Sequence, residues 1–334
     1  MHELAFPLLV ALIALALAFD FLNGLHDAAN SIATVVSTQL LSPLMAVIFA
    51  AAGNFAAYWI VGLHVAETVG SGIIDKDVVS PAVVFGALIG AMAWNVITWL
   101  KGIPSSSSHA LIGGLLGAGI AHSGFSAVES SGTTKTIVAI FLSPMIGFAI
   151  AMVLVLVTSW LFRGTQPKRA EGVFKAMHLV SSAAYSISHG GNDAQKTMGI
   201  ITVLLYSTGY LGGEFHVPEW VVLSCYAAIS LGTLSGGWRI IRTMGTRLTR
   251  LNHHTGFCAS TAGSVVVFGA SAMGIPVSTT HAITGSVIGT GAARRASAVR
   301  WTMASRVVMA WFITIPASAA VGAGFYLLTR LFEA

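Results

Sequence analysis

The segment that begins near Leu4 is almost unbroken aliphatic sequence, yet Asp20 lies inside it and the stretch FLNGLHDAANSIA, residues 21–33, follows directly. That stretch puts Asp27, His26 and two asparagines where burial of a charge is most costly. A second apolar region repeats the pattern with SISHGGNDAQKTMGI, residues 186–200. Around both, apolar runs recur at roughly 20 residues, the length that spans a bilayer core. Soluble domains carry about 25% charged residues, whereas this chain has 9%, with 55% hydrophobic residues and 36 glycines. Its mean hydropathy of +0.81 agrees. The chain reads as an all-α polytopic membrane protein.

The N-terminus has neither a basic flank nor a small-residue cleavage site, so residues 4–22 read as a retained span. Cys225 and Cys258 fall in apolar stretches and read as packed small residues, not as a disulfide. The net charge of +5 comes from short loops between spans. It is an orientation signal, and no nucleic-acid partner is expected.

Ten long hydrophobic segments lie near 4–37, 43–64, 79–100, 103–121, 136–162, 173–211, 220–238, 255–273, 275–292 and 301–329. Basic residues cluster in three connections: Arg163/Lys168/Arg169/Lys175, Arg239/Arg242/Arg247/Arg250 and Arg294/Arg295/Arg300/Arg306. Acidic residues sit elsewhere, at Glu67/Asp75/Asp77, Glu129 and Glu214/Glu219. By the positive-inside rule the basic connections face the cytoplasm, which places both termini outside a plasma (inner) membrane. Five segments precede residues 163–172 and five follow, so the halves run in opposite directions. The expected organisation is a first inverted repeat over 1–162, a cytoplasmic linker over 163–172 and a second repeat over 173–334. Segments 4–37 and 173–211 are longer than one span needs, and each is expected to break at its aspartate motif.

An internal repeat sharpens this. IPSSSSHALIGGLLGAG, residues 103–119, aligns without gaps to IPVSTTHAITGSVIGTG, residues 275–291, with eight of seventeen positions identical. Ser106, Ser107 and Ser108 face Ser278, Thr279 and Thr280; Gly24, Asp27 and Ala28 match Gly190, Asp193 and Ala194. Interrupted segments at corresponding places in two inverted halves point to a transporter site at the bilayer midplane, formed by broken helices and re-entrant or half-helix segments.

Pro104 and Pro276 suit the first turn of a helix, where a missing N–H costs nothing. The hydroxyls after them then sit at helix N-termini, where free N–H groups and the helix dipole attract anions. Two such ends facing each other would surround a tetrahedral oxyanion with neutral donors, which favours release as well as binding. Gly113/Gly117 and Gly285/Gly289 are expected to allow close helix packing. Asp27 and Asp193 would repel a bound anion unless a proton or Na⁺ intervenes, which makes the repulsion a coupling device. The plainer reading of Asp193 is an ion pair with Lys196. Asn30 and Gln195 offer amide groups to the substrate or to a cation, as do Asn23 and Asn192. His26, His189, His109 and His281 adjoin these motifs and read first as core residues. No Cys/His spacing resembles a structural metal site, so no metal or cofactor is expected beyond Na⁺ as a coupling ion.

Other classes fare worse. Ser108 and His109 point about 100° apart on a helix, which rules them out as a hydrolytic dyad, and no nucleophile elbow is present. A passive channel has no use for two aspartates beside an anion site.

GLHDAANSIATVVST and SHGGNDAQKTMGI resemble the two signature motifs of the inorganic phosphate transporter (PiT) family, also described as phosphate/sulfate permeases. GIPVSTTHAITG resembles its second hydroxyl hairpin, and the match is closest to bacterial members because no long hydrophilic central loop intervenes. The resemblance implies a secondary active carrier, often a homodimer, that moves phosphate by symport with Na⁺ or H⁺. It also implies, for bacterial members, transport of neutral metal–phosphate complexes. Some members carry glutamates where AAGNFAAYW has Asn54 and GFCASTAGS has Ser260, which favours proton coupling through Asp27 and Asp193. Hydrogen phosphate can donate a proton to a carboxylate and sulfate cannot, so phosphate is expected, with sulfate as the alternative substrate.

Overall fold

The computed structural model describes residues 6–75 and 78–333. Asp77 and the first five residues, both part of the expected topology, lie outside the described residues, as does the side chain of Arg242. Among the described residues the chain is helical, with a single bridge between Ile74 and Val128 as its only β pairing.

The first half contains α1 (Phe6–Ser37), α2 (Pro43–Ala56), α3 (His64–Ser71), α4 (Pro81–Lys101), α5 (Ser107–Ser123) and α6 (Ser130–Leu161). The second repeats the series as α7 (Pro167–Ser207), α8 (Glu219–Ser235), α9 (Trp238–Arg242), α10 (His253–Ala272), α11 (Thr279–Arg294) and α12 (Trp301–Glu333). Residues 167–172 of the expected linker are therefore the opening turns of α7. Among the described residues six helices are long and apolar enough to cross a membrane, and eight if the bent pairs 43–59/64–70 (86°) and 219–235/238–245 (66°) each count as one span. α11, at 16 residues, is too short by that measure. α7 has the length, at 41 residues, but carries the polar motif.

Local sequence explains the boundaries. Ser80 and Ser42 cap α4 and α2 ahead of Pro81 and Pro43, and Asn252 forms a reciprocal capping box with Thr255 at the start of α10. α4 ends at Gly102 (φ +64°) and α10 is followed by Gly274 (φ +66°). Both adopt the left-handed conformation that glycine tolerates without a Cβ penalty. Each glycine opens a Gly-Ile-Pro turn, so the two hairpins α4–α5 and α10–α11 are built on one motif.

The hairpin turns lie at opposite ends of the bundle. Gly102 is held by the basic segment: Arg239 Nη1 donates to Leu100 O at 2.7 Å and Thr243 Oγ1 to Gly102 O at 3.0 Å. Gly274 and Pro276 instead line a cavity with Glu67 and Glu129. The hydroxyl-bearing N-termini of α5 and α11 thus enter from opposite ends and meet inside, where the His109 and His281 rings stand edge to face at 4.2 Å. This is the inverted-repeat architecture.

The halves are also interlocked. A β-carbon on Gly117 would meet Ala319 O of α12 at 2.1 Å, and one on Gly285 would meet Pro144 O of α6 at 2.2 Å. Gly113 and Gly289 make comparable approaches, to Ile315 O at 2.5 Å and Phe148 O at 2.3 Å. Each hairpin is therefore clamped backbone to backbone by the last helix of the other half.

The expected breaks at the aspartates are absent: α1 and α7 are each continuous through the motif. The motif polarity resides in side chains that find partners on other helices, so the backbone ladder stays intact. The motif glycines serve packing instead. A β-carbon on Gly24 would meet Ile229 O at 2.1 Å, and one on Gly190 would meet Asn54 O at 2.6 Å. The breaks fall where those two helices press, in the α2–α3 and α8–α9 regions.

Candidate functional site

α1 and α7 bring their motifs together at the hairpin tips, and Asp27, Asp193, Asn30, Lys196, Ser107, Ser108, Thr279 and Thr280 are all buried there. Ser107 Oγ donates to Asp27 Oδ2 at 2.8 Å, and Thr279 Oγ1 donates to Asp193 Oδ2 at 3.0 Å. Asn30 Nδ2 donates to Thr280 Oγ1 at 2.9 Å, while Lys196 Nζ donates to Ser108 Oγ at 2.5 Å. These are two symmetric pairs of contacts. In the alignment Ser107 matches Thr279, Ser108 matches Thr280 and Asn30 falls opposite Lys196.

The carboxylates differ in what surrounds them. Asp27 Oδ1 lies 2.7 Å from His26 Nδ1 and accepts from Thr280 Oγ1 at 3.3 Å. Asp193 Oδ1 accepts from Lys196 Nζ at 2.5 Å, and Asp193 Oδ2 lies 3.4 Å from His189 Nε2. Lys196 completes its set by donating to Val277 O at 2.9 Å, which uses all three ammonium protons. The ion pair with Lys196 is therefore real. One atom each of Asp27, His189 and Asp193 lies within 4.8 Å of the other two, and no other such trio of metal-ligating side chains occurs among the described residues.

Several sequence expectations need correction. Pro104 and Pro276 precede the helices, which start at Ser107 and Thr279. Ser106 and Ser278 are the N-caps, and their hydroxyls accept from His109 N at 3.2 Å and His281 N at 3.1 Å. They satisfy their own helices and leave Ser107, Thr279 and Thr280 to donate to the aspartates, while Ser108 Oγ donates to Val277 O at 3.3 Å and accepts from Lys196. Gln195 turns away from the hydroxyls. Its Oε1 accepts from Val65 N at 3.0 Å and Ala66 N at 3.2 Å, and its Nε2 donates to Gly62 O at 2.6 Å. It caps α3 across the bend in the α2–α3 span, a job created by a break that the sequence does not announce.

Asn192 Nδ2 donates to Ser271 Oγ at 2.8 Å, and its Oδ1 has no hydrogen-bond partner among the described residues. Asn54 Nδ2 donates to Thr233 Oγ1 at 2.9 Å and its Oδ1 lies 3.0 Å from His189 Nδ1. Ser260 Oγ, on α10, lies 3.2 Å from Thr34 Oγ1 of α1. Asn23 stands beside Asp20, a buried residue outside the repeated motifs, and sequence comparison of the halves had no means of selecting Asp20. Its equivalent in the second half is Ser186.

No path to either end is open at the site, since the aspartates, triplet hydroxyls and Lys196 are 0–3% exposed. The arrangement brings four hydroxyls, one ammonium and two carboxylates into one buried cluster.

Comparison with known proteins agrees with this geometry. The phosphate transporter family profile matches residues 23–167 and again residues 162–322. A probable low-affinity inorganic phosphate transporter of Rhizobium meliloti (strain 1021) is 61% identical over 328 residues, covering 98% of each chain. One described in the same words from Bacillus subtilis (strain 168) is 42% identical over 334 residues, covering 97% of this chain and 98% of its own. A solved structure titled "The sodium-dependent phosphate transporter" superposes with a TM-score of 0.90 at 25% identity, covering 98% of this chain and 100% of that one.

Proposed function

The chain belongs to the phosphate transporter family, and from that premise we propose that it is a secondary active carrier of inorganic phosphate by symport with H⁺ or Na⁺. The observation that carries this reading is the meeting of two hydroxyl-bearing helix N-termini across Asp27 and Asp193. Ser107, Ser108, Thr279 and Thr280 are the substrate donors, with Asn30 and Lys196 beside them.

Hydrogen-bond arithmetic supplies the coupling. A hydroxyl has one proton to donate. While Ser107 gives it to Asp27 and Thr279 gives it to Asp193, neither can give it to phosphate. A proton or cation at the carboxylate releases the hydroxyl and removes the charge that repels the anion. Lys196 offsets one of the two carboxylates, so a cation has to accompany the substrate for the other. Asp27, with no ammonium beside it, is where that cation acts; Asn23 lies one turn before it on α1, and Asn192 directly precedes Asp193 on α7.

A second reading of the cargo is a neutral metal–phosphate complex. It is favoured by the approach of Asp27, His189 and Asp193 atoms within 4.8 Å. Sulfate remains the alternative anion. On this reading the protein is a multi-pass homodimer of the plasma membrane in lipid, with the basic end cytoplasmic, both termini outside, and repeats over 1–162 and 173–334.

Uptake into proteoliposomes tests the proposal, with pH and Na⁺ gradients set independently, Mg²⁺ present or chelated, and sulfate as competitor. Concentrative phosphate uptake driven by either gradient, and counterflow of labelled phosphate, are the expected results. Uptake that never exceeds equilibrium would leave a channel, and inhibition by sulfate at equal concentration would leave a sulfate permease.

A further inference from the structure

The basic connections differ in what their side chains touch. Arg239 donates to Leu100 O, Lys175 pairs with Glu171 at 3.0 Å, and Arg163 lies over the Trp160 ring at 5.4 Å. Arg250, Arg294, Arg295 and Arg300 are different: among the described residues none of them pairs with a carboxylate. Together with Thr249 and Ser297 they line one cavity of about 630 Å³. Its frame is fixed by the backbone. Arg300 N donates to Leu248 O at 3.0 Å, and Thr249 Oγ1 donates to Ala298 O at 3.1 Å. A β-carbon on Gly291 would meet Thr249 Oγ1 at 2.8 Å, so the segment before α10 is pressed against the end of α11.

We infer that this cavity binds a phosphate-bearing anion, at a site separate from the buried cluster of aspartates and hydroxyls. Arg294 follows Thr280 by fourteen positions on α11, or about 21 Å along the helix at 1.5 Å per residue. Ordinary rules account for only part of the cavity. The positive-inside rule puts basic residues on one side of a membrane but does not gather them. A helix C-terminus attracts cations, which covers Arg294 and Arg295 at the end of α11. Arg250 and Arg300 come from other segments, and a cleft lined by one sign of charge concentrates its counter-ion. Guanidinium forks match phosphate oxygens with paired hydrogen bonds, and the Ser297 hydroxyl adds a neutral donor.

Soluble phosphates and the headgroups of anionic lipids share this chemistry, and the surroundings favour the headgroup. Trp301 directly follows Arg300 and is 53% exposed, and tryptophan at the end of a span marks the headgroup level of a bilayer. Ser305, Met309 and Phe312 follow it at helical spacing, all exposed on one face of α12. Acyl chains can lie along that face while the headgroup occupies the cavity, as in other basic pockets between spans. An anion held there joins the start of α10, the end of α11 and the start of α12. It fastens the base of the hairpin whose tip carries Thr279 and Thr280.

The test follows thermal unfolding of the purified full-length protein in a neutral detergent at constant ionic strength. One arm titrates cardiolipin against phosphatidylcholine, and the other titrates inorganic pyrophosphate. The chains compared are wild type, the cavity variants Arg250→Gln/Arg300→Gln and Arg294→Gln/Arg295→Gln, and the control Arg163→Gln/Arg169→Gln, which removes two charges elsewhere. Wild type and control should show the same saturable stabilisation by cardiolipin and little by phosphatidylcholine. Each cavity variant should need at least about tenfold more cardiolipin, the effect of losing one hydrogen bond to a charged group. Without ligand the cavity variants should melt no lower than wild type, because the four charges have no carboxylate partner to lose. A response to pyrophosphate alone, lost in the cavity variants, supports the site with a soluble occupant. No response to either probe in wild type overturns the inference. So does a response that survives in both cavity variants, or one that falls equally in the control. If a double variant fails to fold, the single variants Arg250→Gln and Arg294→Gln decide by the same criteria.

Discussion

The two halves of the molecule agree at their hairpins and disagree at their aspartates. Gly102 and Gly274 make the same turn, and Ser106 and Ser278 make the same cap. Ser107 and Thr279 give the same bond to their aspartates. Around that shared frame the first half has Asn30 where the second has Lys196, and Asp20 where the second has Ser186. Ser186 has turned inward, donating to Ser182 O at 3.0 Å. The first half thus carries an extra acid, and the second a tethered cation. Duplication fixed the architecture of binding, and divergence at single positions set where charge must be supplied from outside.

That contrast breaks most severely at its charges. Asp27→Asn and Asp193→Asn keep an acceptor of the same size but remove the charge. Each should abolish concentrative phosphate uptake in proteoliposomes while the protein still inserts. Accumulation surviving in both variants would leave the aspartates as structural residues. Lys196→Met strands Asp193 without its ammonium, and breaking a buried pair costs about 3–5 kcal/mol. A large fall in melting temperature is expected, with partial recovery in the double variant Asp193→Asn/Lys196→Met. No recovery would mean that the two charges are not a unit.

Smaller effects separate what the halves share. Ser107→Ala and Thr279→Ala each remove one donor to a charged acceptor, worth about 1.5–3 kcal/mol. Phosphate affinity should fall roughly ten- to a hundredfold, measured by equilibrium binding, and by similar factors if the halves contribute alike. Wild-type affinity in both would move the anion site elsewhere. Gly117→Ala and Gly285→Ala push a methyl group into backbone, and such overpacking costs about 1–3 kcal/mol. Thermal unfolding should show both losses, whereas Gly324→Ala, with nothing within 4 Å of the added carbon, should be close to neutral. The smallest difference lies at the caps. Loss of the Ser80 or Asn252 cap by alanine costs about 1 kcal/mol. Asn252→Ala should cost more, because Thr255 reciprocates there. Equal losses would make the capping box irrelevant to α10.

What the sequence revealed follows from repetition. The hydroxyl triplets and the aspartates appear twice, so their alignment located Ser107, Ser108, Thr279, Thr280, Asp27 and Asp193 before any contact was known. Features that occur once were hidden. Asp20 falls opposite Ser186, so repetition does not mark it, and its burial beside Thr197 and Asn23 is a property of packing. Gln195 looked like a site residue because it lies two positions from Asp193, yet it serves a helix end created by the bend after α2. Continuity of α1 and α7 was misjudged because polar side chains in an apolar run resemble a break. Only tertiary contacts show that those side chains are satisfied sideways, with no change to the helix.

The edge-to-face contact of His109 and His281 joins equivalent residues of the two hairpins, so exchanging the roles of the halves returns the same contact. Opening toward one end or the other must break closely similar packing, with Gly117 leaning on α12 and Gly285 on α6. At the hairpins the two access states would then differ little in packing, so that under the proposed carrier function net flow would be left to the gradients.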